Sequence, residues 1–124
     1  MIPVFPAFRR LELSDRKTVH EILLEYQPEI SEYTFSNIFI WREHYRVEWA
    51  MHQDWLLFHS QLHDGTEYCA QPIGPASRRD LVRTLLEWLR EEKKIARPAI
   101  ERVDARLLAE LGETPDWVIE PVRD

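Results

Sequence analysis

The stretch from Arg46 to Ala70 constrains the fold more than any other part of the chain, because its side chains follow the period-two pattern of extended strands. Val47, Trp49 and Met51 alternate with Glu48, Ala50 and His52. The turn residues Gln53-Asp54 lead into Trp55–Leu62, and His63-Asp64-Gly65 reverses the chain before Glu67–Gln71. The pattern predicts an antiparallel meander of three strands.

The segments on either side follow other rules. Phe8–Leu13 reads as a short opening strand that ends at Ser14-Asp15, and Val19, Ile22, Leu23 and Tyr26 then recur at the spacing of one buried helical face, up to Pro28. A second helix starts near Thr34, whose hydroxyl caps free backbone N–H groups, and carries Phe35, Ile38, Phe39 and Trp41 toward the core. Beyond the meander, Pro72–Pro75 breaks the pattern. Ser77 then caps a long helix to about Lys94, with Leu81, Val82, Leu85, Trp88 and Leu89 as its buried stripe. Pro98–Val103 reads as a strand, Asp104–Leu111 as a helix with Asp104 at its cap and Gly112 past its end, and Trp117–Ile119 as a last strand. The expectation is one α/β (α+β) domain over residues 1–124 with a mixed sheet in the order βααβββαβαβ, the helix after the meander leading to a strand parallel to its neighbour.

Composition limits what such a domain does. At 124 residues the chain is long enough to bury roughly two-thirds of its unfolded surface. With Cys69 alone no internal disulfide forms, and neither a secretory leader nor an apolar run of about 20 residues is present, so a reducing cytoplasm is the expected compartment and no membrane span is expected. A net charge of −6 argues against gripping duplex DNA and leaves RNA on a local patch open.

Two sets of residues invite a ligand. Gln71-Pro72-Ile73-Gly74-Pro75-Ala76 fits the loose pattern Gln/Arg-x-x-Gly-x-Gly/Ala between a strand and a helix, where backbone N–H groups hold a pyrophosphate; Gln71, Gly74, Ala76 and Ser77 form this candidate phosphate loop. Pro72 and Pro75 have no N–H to donate, and a plain proline-rich turn explains the same residues. Arg79, Arg83, Arg90 and Lys94 lie along one side of the long helix, as a patch for tRNA or anionic headgroups, or as cations paired with Glu87, Glu91 and Glu92 on a solvated face.

Other candidates have bland readings beside the chemical ones. His52, His59 and His63 lie around the meander, but four well-placed ligands are lacking and no metal site is expected. Cys69 reads as a buried strand residue rather than a nucleophile. Glu29, Ser31 and Glu32 belong to one distinctive segment whose carboxylates could supply a general base, while Ser31, Glu32 and Thr34 are explained at least as well as a capping group for the second helix. No catalytic residue is assigned.

The segment Pro28-Glu29-Ile30-Ser31-Glu32-Tyr33-Thr34-Phe35-Ser36-Asn37-Ile38-Phe39-Ile40-Trp41-Arg42 resembles the start of the phosphatidylglycerol lysyltransferase C-terminal-like family. The series Phe8, Leu11, Leu13, Asp15 and the Pro72-Ile73-Gly74 turn extend the likeness, and the element order is similar to the GNAT acyltransferase fold. The resemblance implies a protein of two tandem GNAT-like halves, of which this chain is the first. It also implies acyl or aminoacyl transfer, with coenzyme A or another acyl thioester as cofactor and aminoacyl-tRNA as a partner of the whole. The chain alone is expected to be an incomplete enzyme, either a transferase lobe or a non-catalytic module that packs against a second lobe or partner.

Overall fold

The computed structural model describes residues 2–26, 34–112 and 114–120. A five-stranded mixed sheet carries helices on both faces. Its strands are β1 (Arg9–Arg10), β2 (Glu48–His52), β3 (Trp55–Gln61), β4 (Glu67–Ala70) and β5 (Ile100–Glu101), and its helices α1 (Arg16–Tyr26), α2 (Phe35–Tyr45), α3 (Arg79–Glu91) and α4 (Ala105–Leu111). Strand order in space is β1-β2-β3-β4-β5; every pair is antiparallel except β4–β5, which α3 connects as a parallel crossover.

Alternation along the meander decides which layer each side chain joins. Trp49 and Phe58 are cross-strand partners, and with Val47, Leu56 and Ala70 they meet α1 and α2 through Val19, Leu23 and Phe35. Leu57 and Cys69 point to the other face, where Leu81, Leu85 and Leu89 of α3 cover them with Phe5, Phe8 and Trp88. Both faces are therefore buried, which is why Ala50 is as covered as Trp49 beside it. Leu107 and Leu111 of α4 pack on Val82 of α3 in a smaller cluster.

Local chemistry fixes the helix ends. The Thr34 hydroxyl accepts from the Asn37 N–H at the start of α2, and the Asp104 carboxylate accepts from the Leu107 N–H at the start of α4. At the start of α1, buried Asp15 accepts from the Glu12 N–H, Arg9 and the Trp49 indole.

Four expectations change. The opening strand shrinks to β1, because after Arg10 the chain enters the 3-10 turn Leu13–Asp15; Pro3 and Phe5 instead bond Met51 through the backbone. Ser77 is exposed and makes no cap: position Arg78 precedes α3, and its N–H donates to the Glu110 carboxylate at 2.7 Å. Helix α3 stops at Glu91, since the Glu92 and Lys93 N–H groups both turn back to the Trp88 carbonyl and Lys94 takes a left-handed φ of 59°. Trp117–Ile119 is not a strand; the Trp117 ring lies beside the guanidinium groups of Arg79 and Arg83 and packs on the α3–α4 cluster, while Val118 is exposed.

Candidate functional site

The proposed phosphate loop is tightly engaged with its own protein. Gln71 is fully buried, and its amide bonds Asp104 twice: Nε2 donates to the carboxylate and Oε1 accepts from the backbone N–H, both at 2.9 Å. Ile73 exchanges two backbone hydrogen bonds with Leu56. Gly74 meets the meander so closely that a Cβ would lie 2.7 Å from Trp55 Cδ1 and 2.8 Å from the Asp54 carbonyl oxygen. The Trp55 indole then donates to the Pro75 carbonyl, and Ala76 and Ser77 are exposed.

Arg78, which sequence reasoning passed over, organises the entry to α3. Its side chain is almost fully buried, donating to the Pro72 carbonyl, the Tyr26 hydroxyl and both Glu110 carboxylate oxygens. Because the Arg78 N–H also goes to Glu110, a carboxylate already occupies the place where an anion would meet the helix start. Pairing is what makes a buried guanidinium tolerable. Its side-chain partners lie 32 and 52 residues away, so no local pattern announces it.

The basic line divides in two. Arg79 and Arg83 flank Trp117, and Arg83 is paired with Asp80 and Asp116; its hydrogen bond holds the Asp116 carboxyl below the usual carboxylate range. Arg90 and Lys94 are exposed, with Lys94 beyond the end of α3.

Around the meander, His59 is buried between two carboxylates, with Nδ1 3.1 Å from Glu48 and Nε2 2.8 Å from Glu67, so the ring ties three strands together. His52 stacks on Trp55, and His63 meets His44. Among the described residues no group of three or more His, Cys, Asp or Glu side chains is placed to hold a metal ion. Burial, together with the nearby Glu67 charge, pushes the Cys69 thiol up to about 12, out of the range of a nucleophile. The candidate bases Glu29 and Glu32, and Ser31 of the expected capping group, lie outside the described residues.

A cleft of about 380 Å³ opens on the other face of the sheet. Helix α2 lines it with Asn37, Ile38, Trp41 and Tyr45; the floor is Val47, Phe58, Ser60, Tyr68 and Ala70; Arg102, next after β5, closes one side. Trp41, expected in the core, is more than half exposed because it stands on the wall of this cleft. Tyr68 is hydrogen-bonded to the Ser60 side chain, and burial raises its hydroxyl above the usual phenol range.

The family profile for the C-terminal region of phosphatidylglycerol lysyltransferase matches residues 24–123. The chain belongs to this phosphatidylglycerol lysyltransferase C-terminal family. The match takes in every residue that lines the cleft and both sequence-proposed sites. A solved relative of the fold, a conserved protein of unknown function from Bacteroides thetaiotaomicron VPI-5482, superposes with a TM-score of 0.74 at 25% identity over 90% of this chain. This member of the phosphatidylglycerol lysyltransferase C-terminal family spans 35% of that protein's length. No curated protein matches it. Among the described residues no helix is long and apolar enough to cross a membrane.

Proposed function

We propose that the chain is a GNAT-like lobe of an acyl- or aminoacyltransferase-related protein, one that holds a substrate in the α2–sheet cleft and relies on a second lobe for transfer. The observation that supports this most is the make-up of the cleft: aromatic and aliphatic walls with the amide, hydroxyl and guanidinium groups of Asn37, Ser60, Tyr68 and Arg102. Those groups orient a ligand well, and among the described residues the lining includes no histidine or carboxylate for general acid–base work. Aminoacyl-tRNA is the donor this reading gives to the whole protein, with the Arg90 and Lys94 side as its approach. Coenzyme A at Gln71, Gly74, Ala76 and Ser77 would have to displace Glu110 from the Arg78 N–H.

A non-catalytic docking module is the second reading, favoured by the exposed apolar residues Val118 and Ile119. Both readings meet one experiment. The purified chain is incubated with lysyl-tRNA or acetyl-coenzyme A and an amine acceptor, and product is counted. No transfer is expected from the chain alone, while a longer protein that contains it loses transfer when Ala70→Trp blocks the cleft. Turnover by the chain alone defeats the proposal, and full activity of the blocked protein leaves the docking reading. Calorimetric titration with coenzyme A is expected to give no heat at millimolar ligand.

A further inference from the structure

We propose that the cleft between α2 and the sheet takes an uncharged amphipathic ligand, an apolar body with a hydroxyl or carboxamide head that bonds the paired hydroxyls of Ser60 and Tyr68. The inference rests on the reading of this cleft as a binding site and names the chemistry of its occupant.

Strand register builds the polar end of the cleft. Ser60 of β3 and Tyr68 of β4 are direct cross-strand partners, and both point to the α2 side of the sheet, since Leu57 and Cys69, an odd number of residues away, are covered by α3. Each keeps only 6% of its surface exposed, yet both line the cleft. Their side chains share one hydrogen bond. Two hydroxyls carry two hydrogens, so that bond leaves one donor and several lone pairs for a third group. A hydroxyl or carboxamide both donates and accepts, and completes such a pair. A carboxylate only accepts, and an ammonium only donates.

Charge points the same way. Among the described residues that line the cleft Arg102 alone is charged, and it already has an interaction of its own. Glu101 beside it acts on Tyr68 more strongly than Arg102 does, and with the opposite sign. The two offset each other at the polar end, and an ionic head finds no net counter-charge there. Burial holds the Tyr68 hydroxyl above the usual phenol range, so at neutral pH it is uncharged and still a donor. An ion would give up its hydration against aromatic walls without compensation, whereas a neutral head gives up far less.

Size and apolar surface suit the rest of the ligand. A volume of about 380 Å³ falls at the lower end of small-molecule sites, roughly 300–1,000 Å³. Ile38, Trp41, Val47, Phe58 and Ala70 offer the wall for an alkyl or aromatic body.

The test uses the whole chain and five probes of equal tail length, namely hexanol, hexanamide, hexanoate, hexylammonium and hexyl methyl ether, titrated with the Trp41 indole resonance reporting the site. Hexanol or hexanamide is expected to bind at least about tenfold more tightly than hexanoate and hexylammonium, a difference of about 1.4 kcal/mol. Whichever of the two binds more tightly identifies the head group. The ether, neutral but without a hydrogen to donate, is expected to fall between. Tyr68→Phe keeps the ring and Ser60→Ala keeps the strand; each is expected to bring hexanol and hexanamide down to the affinity of the ether, while the ether's own affinity stays unchanged. Binding of hexanoate or hexylammonium as tight as that of the neutral probes, or an advantage over the ether that is absent from the native chain or survives both variants, overturns the inference and leaves the cleft as a binding site. If none of the five probes shifts Trp41, the binding-site reading falls with it.

Discussion

The two ends of the sheet's polar chemistry contrast sharply. Where β4 passes into α3, the groups are mutually satisfied: Gln71 with Asp104, Arg78 with Glu110, Tyr26 and Pro72, Ile73 with Leu56. Under α2, aromatic walls, two hydroxyls and a guanidinium surround a space of about 380 Å³. The loop that looks like a ligand site is thus a seam of the fold, and the residues that look like core form the cleft. A motif gives residue types in order. Whether their donors face outward depends on partners far away in the chain.

The largest effect that sharpens this contrast is expected at the seam. Glu110→Ala leaves Arg78 buried without its carboxylate and should cost about 3–5 kcal/mol in urea unfolding, whereas the pair Arg78→Met with Glu110→Leu should regain much of that loss. A cost below about 1 kcal/mol for the single change would place the seam among ordinary surface pairs and break the comparison. Next comes Asp104→Ala, which removes the α4 cap and strands the Gln71 amide; about 1–2 kcal/mol is expected, read from the same unfolding midpoints. In the cleft, Ala70→Val adds bulk where there is room, and its cost should stay under about 1 kcal/mol in urea unfolding; a loss of 1–3 kcal/mol would mean that the wall is already close-packed.

The smallest expected effect concerns Cys69, whose neighbours Tyr68 and Ala70 face the cleft while it faces α3. The unfolded thiol ionises near its ordinary range, at about 8.5; the folded one is pushed up to about 12. Between these values the unfolded chain gives up a proton that the folded chain keeps, so this contribution to stability is present at neutral pH and lost as pH rises through the window. Cys69→Ala should flatten the alkaline fall in stability relative to the native chain. Iodoacetamide at pH 8 should leave the folded thiol unmodified over the time in which the unfolded chain reacts fully.

Local physics was legible in the sequence, and long-range pairing was not. Thr34 and Asp104 act within three residues, so their capping is visible in a short window, and the meander follows from alternation and two turns. Arg78 is different: it sits between the expected Ser77 cap and the first residue of the buried stripe, Leu81, and nothing nearby tells that a carboxylate 32 residues on will bury it. Trp41 misleads for a similar reason. A large aromatic on a helix is usually core, but here five segments leave a gap beside it. Arg102 is misread in another way: it falls inside the expected strand Pro98–Val103, but β5 ends at Glu101 and Arg102 turns out of the sheet with a left-handed φ of 57°.

Strand order in space repeats strand order in the chain. The consequence concerns synthesis. The β2–β3–β4 hairpins can form from neighbouring sequence as the chain leaves the ribosome, before α3 exists to cover their second face. Until residues 79–91 emerge, Leu57 and Cys69 are uncovered, and until Glu110 emerges Arg78 has no anion. Closure of the domain therefore waits for its last helix, and a nascent chain halted before α4 should engage chaperones that bind apolar strands.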